Sequence, residues 1–142
     1  MKHKQRINKI HNTEGNIMQN TNFGIVKTFN ENDFINEFKL YNLLNNFSLN
    51  NFSIKGLHIL FESLEQTAID CEMNVEMDVI ALCCEYNEDS ITDIINNYDI
   101  DLRECFEEDV NEVVTEYLQD NTSICGQYED DYGVTYFVYR VF

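Results

Sequence analysis

The sequence of 142 residues contains no proline, no tryptophan and only five glycines. So little glycine disfavours a backbone loop that cradles a nucleotide. Five cysteines occur without a Cys-x-x-Cys pair, and no apolar run reaches 18 residues. These absences argue against a zinc ribbon, a disulfide scaffold and a membrane span. The first residues are basic and lack the apolar segment of a secretory signal, so we expect a reducing cytoplasm with free thiols.

Sequence motifs of catalysis and metal binding are missing as well. There is no Gly-x-Ser-x-Gly, no His-Glu-x-x-His and no set of kinase motifs. The histidines, His3, His11 and His58, have no ligand spacing to one another or to a cysteine. The pair Asp99-x-Asp101 lacks the glycine and the later ligands of a calcium loop. We therefore expect no enzyme, no metal site and no cofactor.

Basic residues are scarce in one part of the chain. From Leu57 onward there are 22 Asp or Glu residues and only two basic residues, Arg103 and Arg140, which gives a net charge of −20. Residues 1–56 have a net charge of +3. A small domain stays soluble on a net charge of magnitude about 2–8, and the excess strengthens repulsion within the compact state. Nucleic acids and anionic membranes should repel such a body, so we expect no direct binding to DNA, RNA or membrane. Its partners should be positively charged.

Apolar residues are nevertheless sufficient for a folded core, at 44% hydrophobic and 13% aromatic. Residues 1–20 are basic and have no clear period, which predicts a flexible arm that is frayed or weakly helical. Residues 21–142 are expected to form a single acidic domain.

Apolar spacing predicts the elements of this domain. The expected elements are a strand at 23–29, helices from Asp33 to about residue 44, at Ser53–Cys71, at 91–98 and at Phe106–Leu118, a central strand at Met77–Tyr86, and a hairpin of Thr122–Tyr128 and Val134–Phe142. The helix at Ser53–Cys71 has one clean apolar stripe, Phe106 is expected to face inward, and Gly133 suits a positive φ in the hairpin turn. The whole predicts an α+β fold, with an antiparallel sheet of three or four strands and helices packed on one face.

Carboxylates concentrate in three groups that define a candidate binding site. Glu108, Glu112 and Glu116 follow one another at i, i+4, where like charges destabilise a helix by roughly 0.2–0.5 kcal/mol per pair. Such a row is a coarse copy of one phosphate rail of a duplex, which Lys or Arg in a nucleic-acid channel could accept. A solvated acidic face is the alternative. The candidate partner-binding residues are this row together with Glu107, Asp109, Asp101, Glu104, Glu129, Asp130 and Asp131.

Residues 47–142 contain a pattern that is similar to one in known proteins. Its parts are Phe52-Ser53-x-x-Gly56-Leu57, Leu60-Phe61-x-x-Leu64-Glu65 and the block Asp78–Tyr86 (DVIALCCEY). This combination resembles a group of small acidic proteins encoded by phages and mobile elements. The resemblance implies a mobile-element origin, followed by a short helix and a β-rich C-terminal part. Small acidic proteins from such sources are often inhibitors of host defence, including anti-CRISPR and antirestriction proteins.

We therefore expect an anti-CRISPR type of inhibitor in the cytoplasm of an infected bacterial cell. Its partner would be a CRISPR-Cas effector or another defence nuclease, whose guide or target nucleic acid it blocks by acidic mimicry and steric occlusion. The alternative is a non-mimicking interaction module that uses the aromatic C-terminal strand or the N-terminal segment, for example by strand addition. A small nuclease or hydrolase that modifies a defence component is a third hypothesis. An exposed final strand could also pair across a homodimer.

Overall fold

The computed structural model describes residues 5–9, 17–20, 26–45 and 51–142. The strands are β1 (Gln5–Lys9), β2 (Ile17–Asn20), β3 (Val26–Phe29), β4 (Val75–Met77), β5 (Tyr86–Ser90), β6 (Ile124–Glu129) and β7 (Thr135–Arg140). The helices are α1 (Glu31–Asn45), α2 (Ile54–Asp70), α3 (Val79–Glu85), α4 (Ile91–Tyr98) and α5 (Val110–Asn121), and a 3₁₀ turn at Glu107–Asp109 leads into α5.

The strands form two antiparallel sheets. The first has the order β3-β2-β1-β4, and the second has the order β5-β7-β6. In the second sheet β7 is central, because it pairs with β5 and with β6 on its two sides. Strand addition to the final strand is therefore wrong as a route to a partner or to a homodimer, since both of its edges are already paired.

Helices pack against the second sheet, which confirms the α+β class with an antiparallel sheet of three strands. Successive residues of β7 point to opposite faces. Val138 belongs to a buried cluster built with α1, α2 and α3, whereas Phe137 and Tyr139 belong to a second cluster built with α4 and α5. The helices thus lie on both faces of this sheet, where the sequence predicted one.

Polar caps fix the starts of three helices. At α1, Asn30 and Asp33 each donate a backbone N–H to the other's side chain, at 3.2 and 2.9 Å. At α2, the Ser53 hydroxyl accepts a bond from the backbone N–H of Gly56 at 3.0 Å. At α4, the Ser90 hydroxyl accepts a bond from Asp93 N–H at 3.1 Å. Each cap satisfies an N–H group that a helix start otherwise leaves without a partner.

Three sequence predictions about elements are wrong. Most of the expected strand Met77–Tyr86 is helix α3, which begins where the Asp78 carboxylate accepts a bond from Ala81 N–H at 3.1 Å. Strands β1 and β2 lie within residues 1–20, where the sequence predicted a flexible arm that is frayed or weakly helical. Phe106 precedes the 3₁₀ turn and is 72% exposed instead of facing inward.

The strand expected at 23–29 and the expected absence of a membrane span are only partly covered by the described residues. The strand expected at 23–29 is described as β3, and residues 23–25 lie outside the described ranges. Among the described residues, no helix is long and apolar enough to cross a membrane.

Candidate partner-binding site

The predicted row of glutamates is divided between two elements. Glu112 and Glu116 lie four residues apart on α5, whereas Glu108 belongs to the 3₁₀ turn before that helix. All three side chains are exposed, as is Glu107. Acids at a helix start interact favourably with the positive end of the helix dipole, which accounts for Glu107 and Glu108. Glu116 lies beyond that region and gains nothing from it.

Asp101 forms a salt bridge with Arg103 of the same chain. Arg103 donates from Nε to Oδ1 at 2.9 Å and from Nη2 to Oδ2 at 2.6 Å, which is a forked pair. The side-chain and backbone hydrogen bonds from Arg103 lower the pKa of the Asp101 carboxyl below its usual value. Both groups are exposed, so water screens the pair. A cation from a partner would therefore compete with Arg103 for this carboxylate.

An open cavity of about 600 Å³ gathers several of the predicted residues. It is lined by Asp101, Arg103, Glu104, Cys105, Asp109 and Val113. Three carboxylates thus face one concavity in which Arg103 supplies the only positive charge. The hairpin acids do not line it. The cavity can accept a Lys or Arg side chain of a partner. The carboxylates would bind its charged group, and Val113 would contact its aliphatic part.

The three acids at the hairpin tip, Glu129, Asp130 and Asp131, differ in their contacts. Asp130 Oδ1 accepts bonds from the backbone N–H groups of Tyr132 and Val134, at 2.9 and 2.8 Å. Asp130 therefore builds the turn, which ends at Gly133 with φ of +79°. Glu129 and Asp131 are exposed. Of the three predicted tip residues, these two offer the carboxylates that can meet a partner.

Helix α5 ends beside the end of β7 that is far from the hairpin tip. The Thr122 hydroxyl donates there to the Arg140 carbonyl at 2.6 Å, and Tyr117 packs against Phe142. Val110, in the first turn of α5, packs against the buried cluster of α4, α5 and β7. We name the acids of residues 101–116 the acidic end.

Two other acids are withdrawn from any such surface, and the sequence did not indicate this. The Glu88 carboxylate accepts bonds from Ser53 N–H, from the Ser53 hydroxyl and from the Tyr128 hydroxyl, at 3.1–3.2 Å. Tyr139, fully buried, donates its hydroxyl to Asp89 Oδ2 at 2.5 Å. These two acids are bound by groups of the same chain and stabilise the fold, so they are less available to a partner.

Sequence reasoning also missed two aromatic side chains that are the most exposed within the described ranges, Phe106 and Tyr132. Tyr132 is 92% exposed at the hairpin tip. Its place between an acidic turn and Gly133 was a usable signal for exposure, because turn residues lie on the surface. Phe106 gave no such signal, since its spacing matched the apolar face of the helix that follows.

Comparison of the chain with protein-family models, with curated proteins and with solved structures gave no match. Within the described ranges, no group of three or more His, Cys, Asp or Glu side chains is arranged to hold a metal ion. The cysteines there are all free thiols.

Proposed function

We propose that this protein inhibits a bacterial defence system of the CRISPR-Cas or restriction type by binding a nucleic-acid-binding effector. The acidic end occupies Lys and Arg side chains that otherwise hold guide or target nucleic acid. The resemblance of residues 47–142 to small acidic proteins of phages and mobile elements supports the biological setting of this proposal.

The supporting observation is the concentration of exposed carboxylates that have no cation of the same chain nearby in sequence. Between residues 99 and 131 the sole basic residue is Arg103, and it pairs with Asp101. Exposed acids occupy the 3₁₀ turn, α5 and the hairpin tip. A duplex presents one charge per about 1.7 Å of axis, and a basic groove built for that density attracts such a surface. Complementary fields of this kind speed association and make it sensitive to salt.

A non-mimicking interaction module is the second candidate. Central β7 excludes strand addition at the final strand, and Phe137 and Tyr139 are 1% and 0% exposed. Such a module would instead use the outer edges of β5 or β6, which pair with no further strand among the described residues. Salt separates the two candidates. A mimic loses affinity between about 0.01 and about 0.15 M salt, as the Debye length falls from about 30 to about 8 Å, whereas an edge-strand contact changes little.

The decisive experiment measures DNA cleavage by purified effectors in the presence of charge-reversed variants. The test variant combines Glu108→Lys, Glu112→Lys and Glu116→Lys in the acidic end. The control variant combines Glu62→Lys, Glu72→Lys and Glu85→Lys, three exposed acids outside it. Each variant replaces three negative charges by three positive ones, so their net charges are equal.

We expect the wild type and the control to inhibit cleavage by the target effector and the test variant to fail, with all three giving the same circular dichroism spectrum. Full inhibition by the test variant would remove the acidic end from the mechanism. Equal loss in both variants would show a dependence on total charge and contradict a defined binding site.

A further inference from the structure

The stretch between α4 and α5 has no buried side chain of its own. Ile94 in α4 and Val114 in α5 are both 0% exposed. The structure describes every residue between them, and each of those side chains is half-buried or exposed. Buried apolar contacts are what hold a segment against local opening. The position of this stretch therefore depends on the elements at its two ends.

Hydrogen bonds do not tie the middle of the stretch to the sheets. The Cys105 N–H donates to the Leu102 carbonyl at 3.0 Å. The Asp109 N–H donates to the Phe106 carbonyl at 2.9 Å. Among the described residues, none of the hydrogen bonds made by residues 101–109 reaches a strand. These bonds shape the segment, but they do not fasten it to the rest of the domain.

The segment stands over a cavity instead of packing on the core. Cys105 on the segment and Val113 on α5 both line the open cavity of about 600 Å³. A packed protein interior leaves few voids larger than a water molecule. A space of this size therefore gives the segment room to move toward or away from the helix.

Both ends of the segment are anchored. Ile100 and Val110 pack against the buried cluster of α4, α5 and β7. Beside Ile100, Asp99 ends α4 in the left-handed backbone region, with φ of +51°. At the other end, the 3₁₀ turn before α5 has no side-chain cap. Domain and loop motions are commonly absorbed by a few residues at the ends of elements, and the segment has such a place on each side.

We infer that residues 101–109 form a flap that opens and closes over the cavity while both buried clusters stay folded. The hinges are Asp99–Ile100 and the start of α5. The inference concerns the free protein, so it goes beyond the proposed function and does not depend on it. The flap carries part of the acidic end, and a partner bound there would hold the flap in one position.

The test measures amide hydrogen exchange by NMR. The amides of Cys105 and Asp109 report on the flap, because each is hydrogen-bonded within it. The amides of β7 report on global unfolding. The variant is Val138→Ala, whose wild-type side chain is 0% exposed and lies on the face of the second sheet opposite to α5. Ile80→Ala is the control, because that side chain is 43% exposed.

Loss of the buried Val138 side chain destabilises the folded state as a whole. Amides that exchange only through global unfolding then exchange faster, whereas amides released by the flap alone keep their rates. In the wild type we expect the two flap amides to exchange at least about a hundredfold faster than those of β7. Val138→Ala should speed exchange in β7 by about tenfold and leave the flap within about twofold. The control should change neither.

Equal acceleration of the flap and of β7 would overturn the inference, because the segment would then open only when the whole domain unfolds. Flap amides that exchange as slowly as those of β7 in the wild type would overturn it too. If Val138→Ala does not fold, low concentrations of urea replace the substitution. Exchange in β7 should then rise with urea while exchange in the flap stays constant, since local opening exposes little surface. Parallel rises would refute the flap, and the cleavage test of the proposed function would be unaffected.

Discussion

The carboxylate of Glu88 fills the space in which a side chain at position 56 would begin. A Cβ added to Gly56 would overlap Oε1 of Glu88. The same carboxylate accepts bonds from the Ser53 backbone, the Ser53 hydroxyl and the Tyr128 hydroxyl, so it joins the start of α2 to strand β6. A side chain at position 56 would therefore displace the Glu88 carboxylate from these donors.

This contact predicts a change of sign in a mutant cycle. Glu88→Ala should lower the free energy of unfolding by about 1–2 kcal/mol, since three donors lose their acceptor. Gly56→Ala should also destabilise the wild-type protein, because the carboxylate must move. In the Glu88→Ala background it should instead stabilise by up to about 1 kcal/mol, because alanine favours helix over glycine. Urea unfolding of the four proteins measures this, and equal signs in both backgrounds would contradict the contact.

Tyr139 predicts a loss of stability at alkaline pH. Burial first, and then its hydrogen bond to Asp89, raise the pKa of this hydroxyl above its usual value. The folded state therefore holds the proton more tightly than the unfolded chain does. Its contribution to stability is complete below about pH 10 and declines above it, as the unfolded chain ionises.

Tyr139→Phe should remove this hydroxyl's part of the alkaline decline and cost about 1–3 kcal/mol near neutral pH, because Asp89 and Tyr98 lose a buried partner. Thermal unfolding across the alkaline range is the measurement. Tyr132→Phe serves as the control, since that side chain is 92% exposed and its hydroxyl should not matter for stability. Parallel pH profiles of the wild type and Tyr139→Phe would refute the assignment.

Asp130 should prove to be a structural residue of the hairpin. Asp130→Ala removes the acceptor of two backbone N–H groups and should destabilise the protein by about 1–2 kcal/mol. Asp130→Asn removes the same charge but keeps the Oδ1 acceptor, so it should cost less. Denaturant unfolding compares the two. Equal losses would show that the charge, and not the acceptor, matters at this position.

The thiols should divide into two classes in native-state alkylation. Cys71 and Cys84 are exposed, whereas burial, with a smaller effect of Cys84, raises the pKa of Cys83 to about 11. Burial also raises the pKa of Cys125. Near pH 8, about one in a thousand Cys83 thiols is ionised, so Cys71 and Cys84 should react with iodoacetamide faster than Cys83 and Cys125 do. Mass spectrometry of labelled peptides checks this, and rapid labelling of Cys83 without denaturant would contradict its burial.

The sequence predicted elements well where one face is apolar and a polar cap marks the start. Helix α2 combines the Ser53 cap with a regular stripe, and the structure places its bounds within one residue of the prediction. Strands β6 and β7 were also predicted, because turn residues separate two apolar runs. In these elements, local pattern and tertiary packing favour the same structure.

The remaining errors have physical causes. Helix α3 is short, and its Val79 and Ile80 favour strands, so its apolar run gave no helical period, and the cap at Asp78 was the only local signal. Strand β5 is polar because Glu88 and Asp89 find partners on other strands and on α2, which no local pattern encodes. The acids of the candidate site were visible in the sequence. The partners that divert Asp101 and Asp130 depend on the folded turns.

Central β7 has a consequence for synthesis on the ribosome. Strands β5 and β6 do not pair with each other. Each pairs with β7, which is synthesised after both of them. Some 45 residues separate the end of β5 at Ser90 from the start of β7 at Thr135. At about 5–20 residues per second, β5 stays unpaired for several seconds of translation. Until β7 has been synthesised, the two buried clusters lack the side chains that β7 contributes, so their apolar residues stay partly exposed. A chaperone can bind the growing chain during that interval.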